Sequence, residues 1–100
     1  MKVHFVQSGG IVGNIKGYDA DTAELAPDAA KALERLVRES GISRSGEFLS
    51  KSARDLQQYE ITIEDGNRKI SVVFDDLSIP QSAKPLIGFL KKQARPKPLD

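Results

Sequence analysis

The stretch Gln57–Phe74, QQYEITIEDGNRKISVVF, constrains the fold of this 100-residue chain more than any other. Tyr59, Ile61 and Ile63 alternate with polar residues, and Ile70, Val72 and Phe74 repeat the pattern beyond Asp65-Gly66. Alternation with period two puts each apolar row on one side of a strand, and Asp-Gly is a strong signal for a type I′ hairpin turn. A two-residue loop at Asp65-Gly66 sets Ile61 opposite Ile70; a four-residue loop from Asp65 to Arg68 sets it opposite Val72. Either register leaves both rows on the same face. A sheet with one apolar face needs a cover, and the rest of the chain must supply it.

Lys2 to Gln7 reads as another strand, with Val3 and Phe5 on one face and His4 and Val6 on the other. Past a glycine-rich loop, Ile11 to Tyr18 resumes an extended pattern, so the two segments form a second hairpin. In DADTAELAPDAAKALERLVRESG, Pro27 suits a first helical position and Asp28 the positive end of the helix dipole. Ala29, Leu33, Leu36 and Val37 then recur at helical spacing, with Gly41 where a left-handed cap belongs. Ser43 to Leu56 is polar and reads as a long surface loop held by Phe48 and Leu49 as buried anchors. After Pro80, Pro85 fits only a first helical turn, and Leu86, Phe89 and Leu90 make a short apolar stripe that ends in Lys91 and Lys92. RPKPLD reads as a tail. The expectation is one α+β domain over residues 1–94 and a flexible tail over 95–100. Its order is ββαββα, with a four-stranded antiparallel sheet and both helices packed on one face.

Composition narrows the function by exclusion. Fifteen Lys and Arg against fourteen Asp and Glu leave a formal charge of +1, so no summed field attracts nucleic acid or an anionic membrane. The absence of cysteine rules out a disulfide framework, a thiolate metal site and a cysteine nucleophile. His4 is the lone histidine, which leaves no histidine pair for zinc and makes it a strand-face residue outside any Ser-His-Asp set. Glu60 and Glu64 fall on the solvent parity of their strand, and Asp65, Asp75 and Asp76 lie at turns, where carboxylates are ordinarily solvated. No catalytic, cofactor-binding or metal-binding residue is assigned, and the chain is not expected to be an enzyme. The apolar run of MKVHFVQSGG is too short for a signal peptide or a membrane span, so a cytoplasmic location is expected.

One segment is unusual for a hairpin. Ser8-Gly9-Gly10-Ile11-Val12-Gly13 places two bare aliphatic side chains among three glycines, where a polar turn is the norm. The motif partly imitates a phosphate-binding glycine loop, but a strand follows it and not a helix. Either a bulge or tight bend turns Ile11 and Val12 inward, or they are displayed for a partner.

Taken together, MKVHFVQSGG, the spaced Gly13, DTAEL with a proline opening the first helix, YEITIEDG and the proline-led last helix resemble the emfourin family, small bacterial proteinaceous inhibitors of protealysin and related thermolysin-type zinc metallopeptidases. The resemblance covers nearly the whole chain. It implies a cytoplasmic protein, monomeric when free, whose partner is such a peptidase and carries the zinc. It also implies that Ser8, Gly9, Gly10, Ile11, Val12 and Gly13 form the loop that enters the peptidase cleft. The alternative from the residues is a non-inhibitory interaction module that binds through an edge strand or the C-terminal helix.

Overall fold

The alternating segments form the strands, and the computed structural model, which describes residues 1–9, 15–51 and 56–97, adds two short ones at the sheet edges. The strands are β1 (Lys2–Gly9), β2 (Lys16–Asp21), β3 (Gly46–Phe48), β4 (Gln57–Asp65), β5 (Arg68–Asp75) and β6 (Arg95–Pro96). The helices are α1 (Pro27–Glu39) and α2 (Lys84–Gln93), each preceded by a single 3-10 turn, Thr22–Glu24 and Gln81–Ala83. The α+β class is as expected. The sheet is not the expected four-stranded antiparallel one: it has six strands in the order β3-β5-β4-β1-β2-β6, and β3 runs parallel to β5.

Both additions are too short to carry an alternation signal. β3 lies inside the segment read as a loop, and β6 forms from Arg95 and Pro96, which were read as tail. Phe48 and Leu49 are not buried anchors, being 43% and 39% exposed. That segment is held instead by the β3–β5 pairing, by the Ser45 hydroxyl accepting from the Ser71 backbone N–H, and by Ser50 on Asp75. The Phe48 ring stacks on Phe74 with centroids 5.6 Å apart, which covers only one of its faces.

The β4–β5 hairpin takes the register with Ile61 opposite Val72, but with a shorter loop than that register was expected to need. Asp65 pairs with Arg68, so the turn is Gly66-Asn67 and not Asp65-Gly66. Gly66 has φ +62° and no non-glycine described residue has positive φ, the pattern of a type II′ turn with glycine first. β2 starts at Lys16 and continues to Asp21, beyond the expected end at Tyr18, because β1 begins at Lys2 and offers partners as far as Asp21. Ile11 to Asn14, expected within that strand, lie outside the described residues.

Val3, Phe5, Tyr59, Ile61, Ile63, Val72 and Phe74 form the buried face of the sheet, and Leu33, Val37, Leu86, Ile87, Leu90 and Ala94 cover it. Burying side chains of this size stabilises by about 1.5–3 kcal/mol each. α1 begins with Pro27 at its first turn and buries Leu33 and Val37, while Ala29 is exposed. α2 buries Ile87 as well as Leu86 and Leu90, a wider face than the expected stripe. Two aromatic contacts hold strands and helix in place: Phe5 on Tyr59 at 6.3 Å, and Tyr18 edge-on to Phe89 at 6.4 Å. No described helix is long and apolar enough to cross a membrane.

Candidate functional site

β1 sits in the middle of the sheet, and its C-terminal end is where the glycine segment begins. Gln7 still pairs on both sides, with Lys16 of β2 and Tyr59 of β4. Ser8 and Gly9 pair only with β4, opposite Gln58 and Gln57. Among the described residues, the β2 side has therefore parted from β1 two residues earlier than the β4 side. Gly9 then takes φ +86°, and a Cβ there would stand 3.1 Å from the Leu56 carbonyl oxygen. Conformation and space both call for glycine at this position.

A hydrogen-bond network supports the β4 side. The Gln7 side-chain amide donates to Oε1 of Gln57. Asp76, just past β5, accepts from the Gln57 backbone N–H at 3.0 Å through one oxygen and from the Tyr59 hydroxyl through the other. Burial, and then the Asp76 carboxylate, push the Tyr59 phenol well above its ordinary value. A buried ring whose hydroxyl finds a charged acceptor is both packed and oriented.

Its neighbour Asp75 was expected in a solvated turn and is fully buried. Burial raises its carboxyl, but the backbone N–H and hydroxyl of Ser50, at 2.6 and 2.8 Å, and the Leu77 N–H at 2.8 Å outweigh it and hold the group below the usual range. Asp75 therefore secures the Ser50 segment while Asp76 secures Gln57.

On the far side of the loop, the Ile15 carbonyl accepts from the Lys97 N–H at 2.9 Å, and β6 pairs Pro96 with Lys16 and Arg95 with Gly17. The segment between Gly9 and Ile15 thus springs from two fixed points, one in the centre of the sheet and one closed by the end of the chain.

Of the residues expected to form the binding loop, Ser8 is half-buried and Gly9 exposed at this base, while Gly10, Ile11, Val12 and Gly13 lie outside the described residues. Of the supporting residues, Tyr59 reads from the sequence only as part of an apolar row and Asp76 only as a solvated turn carboxylate, whereas its oxygens hold Gln57 and Tyr59. The one available signal was Tyr59 at the start of an apolar row, a polar-tipped ring needing a partner, with Asp76 at the end of the paired strand.

His4 lies away from this base on the open face of the sheet. Its Nδ1 meets Asp19 at 2.7 Å and its Nε2 meets Glu64 at 3.1 Å, so it bridges β2 and β4 across β1. The hydrogen bond to Asp19, aided by Glu64, raises its pKa above 6.5 against the opposing effect of burial. Among the described residues no group of three or more histidine, aspartate or glutamate side chains is placed to hold a metal ion.

Comparison with curated proteins gives no match, and comparison with solved structures gives none either. The sequence model of one family matches residues 5–91, which takes in the loop, its two anchors, the hairpin and most of α2. By that match the chain belongs to the Emfourin family, and membership implies the role of a metallopeptidase inhibitor.

Proposed function

We propose that the protein inhibits a thermolysin-like, protealysin-type zinc metallopeptidase by placing Ser8-Gly9-Gly10-Ile11-Val12-Gly13 in its active-site cleft, and that it does so in the cytoplasm as a monomer. The observation that carries this reading is the fixed base: Gly9, at φ +86°, ends a central strand, and Ile15 is tied to Lys97. A peptidase cleft of this kind binds extended chain through main-chain hydrogen bonds and takes one apolar side chain in a pocket. Ile11 or Val12 supplies that side chain, and the glycines let the cleft approach the backbone closely. Anchoring at both ends reduces the freedom lost on binding, which favours slow dissociation. The zinc is the partner's. The loop survives because the scaffold keeps it off the hydrolytic register.

Residual activity of thermolysin on a short peptide substrate, titrated with the protein, tests the reading. Inhibition competitive with substrate, with the chain intact by mass analysis after prolonged incubation, is expected. Uncompetitive behaviour, or rapid cleavage between Gly10 and Val12, would contradict it.

A second reading has its own observation. β3 is an edge strand and leaves Phe48 and Leu49 substantially exposed, a surface that a non-inhibitory interaction module could use. Under that reading Phe48→Asp abolishes partner binding and Ile11→Asp leaves it intact; the inhibitor reading expects the reverse.

A further inference from the structure

The formal charge of +1 conceals a separation of charge along the sheet. β2 begins at Lys16, beside the loop, and ends at Asp21, roughly 17 Å away at the usual rise per residue. Around its far end lie Asp19, Asp21 and Glu24, and across β1 from it Glu64 and Asp65 close β4, in excess over Lys2, Arg68 and Lys69 at the same end. The loop end carries the opposite sign.

Three features gather cations there from distant parts of the sequence. Pairing of β6 with β2 sets Pro96 opposite Lys16, so Arg95 and Lys97 flank it. Gly17 leaves room for the Lys97 side chain to lie across β2: a Cβ on Gly17 would fall 2.1 Å from Lys97 Cε. Lys91, in the last turn of α2, holds its Nζ 5.4 Å from the centre of the Tyr59 ring, and Tyr59 is the β4 partner of Gln7. Lys92 follows it on the same turn.

Among the described residues the ion pairs join His4 to Asp19 and Glu64, and Arg35 to Glu39; none engages these five cations. Of the carboxylates at this end of the sheet, Asp75 and Asp76 stand on the β5 side and are taken up by Ser50, Leu77, Gln57 and Tyr59, while the exposed Glu60 lies in the row of Val6, Gly17 and Arg95, two strands from Gly17. In the sequence alone, the run KKQARPKP reads either as solubilising or as a patch for an acidic partner. Here Arg95 is part of the sheet and Lys16 comes from the opposite end of the chain.

We infer that Lys16, Lys91, Lys92, Arg95 and Lys97 form a docking surface for a carboxylate-rich face beside the peptidase cleft and steer the loop into it. The inference rests on the inhibitor reading and adds the character of the surface that surrounds the target site. The cations flank Ile15, where the loop rejoins the sheet, so in the complex they lie within about a Debye length, ~10 Å at 0.1 M salt, of whatever the loop's exit contacts. Complementary charge at the rim of an interface acts mainly on the rate of encounter.

The test is the association rate with thermolysin, measured by stopped-flow inhibition at low and high salt. Wild-type chain is compared with the triple variant Lys92→Glu, Arg95→Glu, Lys97→Glu. A control, Lys2→Glu, Arg68→Glu, Lys69→Glu, makes the same change in net charge at the far end of the sheet. Circular dichroism verifies that each variant is folded. The loop-end variant is expected to associate about tenfold more slowly at low salt, with dissociation nearly unchanged and the gap closing at ~1 M salt. The control is expected to associate at close to the wild-type rate.

Equal rates for wild type and loop-end variant, or equal slowing by both variants, would overturn the inference while leaving inhibition intact. Absence of inhibition by the wild-type chain would instead overturn the inhibitor reading, and this inference with it.

Discussion

Gly9 faces Gln57 across the last rung of the β1–β4 ladder, and it is the residue that ends the central strand, with φ +86°. Gln57 is in turn fixed from the other side, its N–H on Asp76 and its side chain on Gln7. The position of the loop's first anchor is therefore determined by residues on two strands, β1 and β4, and the turn after β5, none of which belongs to the loop.

Gly9→Ala probes that anchor. A side chain at φ +86° is strained by about 1–2 kcal/mol, and its Cβ would meet the Leu56 carbonyl oxygen at 3.1 Å. Urea unfolding is expected to show a loss of that order, and inhibition constants measured on folded protein should rise. Unchanged stability would mean that Gly9 has no special backbone conformation.

Asp76→Ala frees the Gln57 N–H and the Tyr59 hydroxyl together, and a loss of about 1–3 kcal/mol is expected from unpaired groups at partly buried sites. Ultraviolet absorbance against pH separates this from general loosening. In the wild type, Tyr59 is expected to ionise well above 10, and in the variant at lower pH, because the carboxylate no longer opposes a phenolate. Burial continues to raise it, so the return is incomplete. An unaltered titration would exclude the contact.

His4 gives the fold a pH dependence whose sign is fixed. Its pKa is raised in the folded protein, first by Asp19, so its contribution is complete below the unfolded value near 6.5 and is lost as pH rises through the higher folded value. The site is partly exposed and the effect small, about 0.2–1 kcal/mol. Unfolding free energy measured between pH 5.5 and 8.5 should fall across that window in the wild type and lose this component in His4→Gln. An increase with pH attributable to His4 would contradict the bridge to Asp19 and Glu64.

Much of this was legible because period-two alternation and helix punctuation are local signals. Tyr59, Ile61, Ile63, Val72 and Phe74 are buried as their spacing required, and Pro27 opens α1 and Pro85 lies in the first turn of α2. β3 and β6 were not legible, since strands of three and two residues are made by their partners and not by their own pattern. The burial of Asp75 is not legible for a related reason: its donors come from Ser50 and Leu77, and only the folded chain brings Ser50 to it. The loop was conspicuous by composition, whereas its supports at Gln57, Asp76 and Lys97 depend on contacts between distant segments.

Gly88→Ala should stabilise. Gly88 lies within α2, and a Cβ there would meet nothing within 4 Å, so alanine gains helix propensity without a clash. Thermal unfolding should show a gain of about 0.4–1 kcal/mol with inhibition unaffected. A loss of inhibition would identify Gly88 as part of a second contact surface.

The central claim is tested most directly by the inhibition constant of Ile11→Asp against thermolysin, set beside the wild type with both proteins confirmed folded. The account expects the wild type to inhibit and the variant to lose at least a hundredfold in affinity, because a carboxylate cannot enter an apolar pocket without losing its hydration. Equal inhibition by the two proteins would remove the loop from the interface and contradict the account.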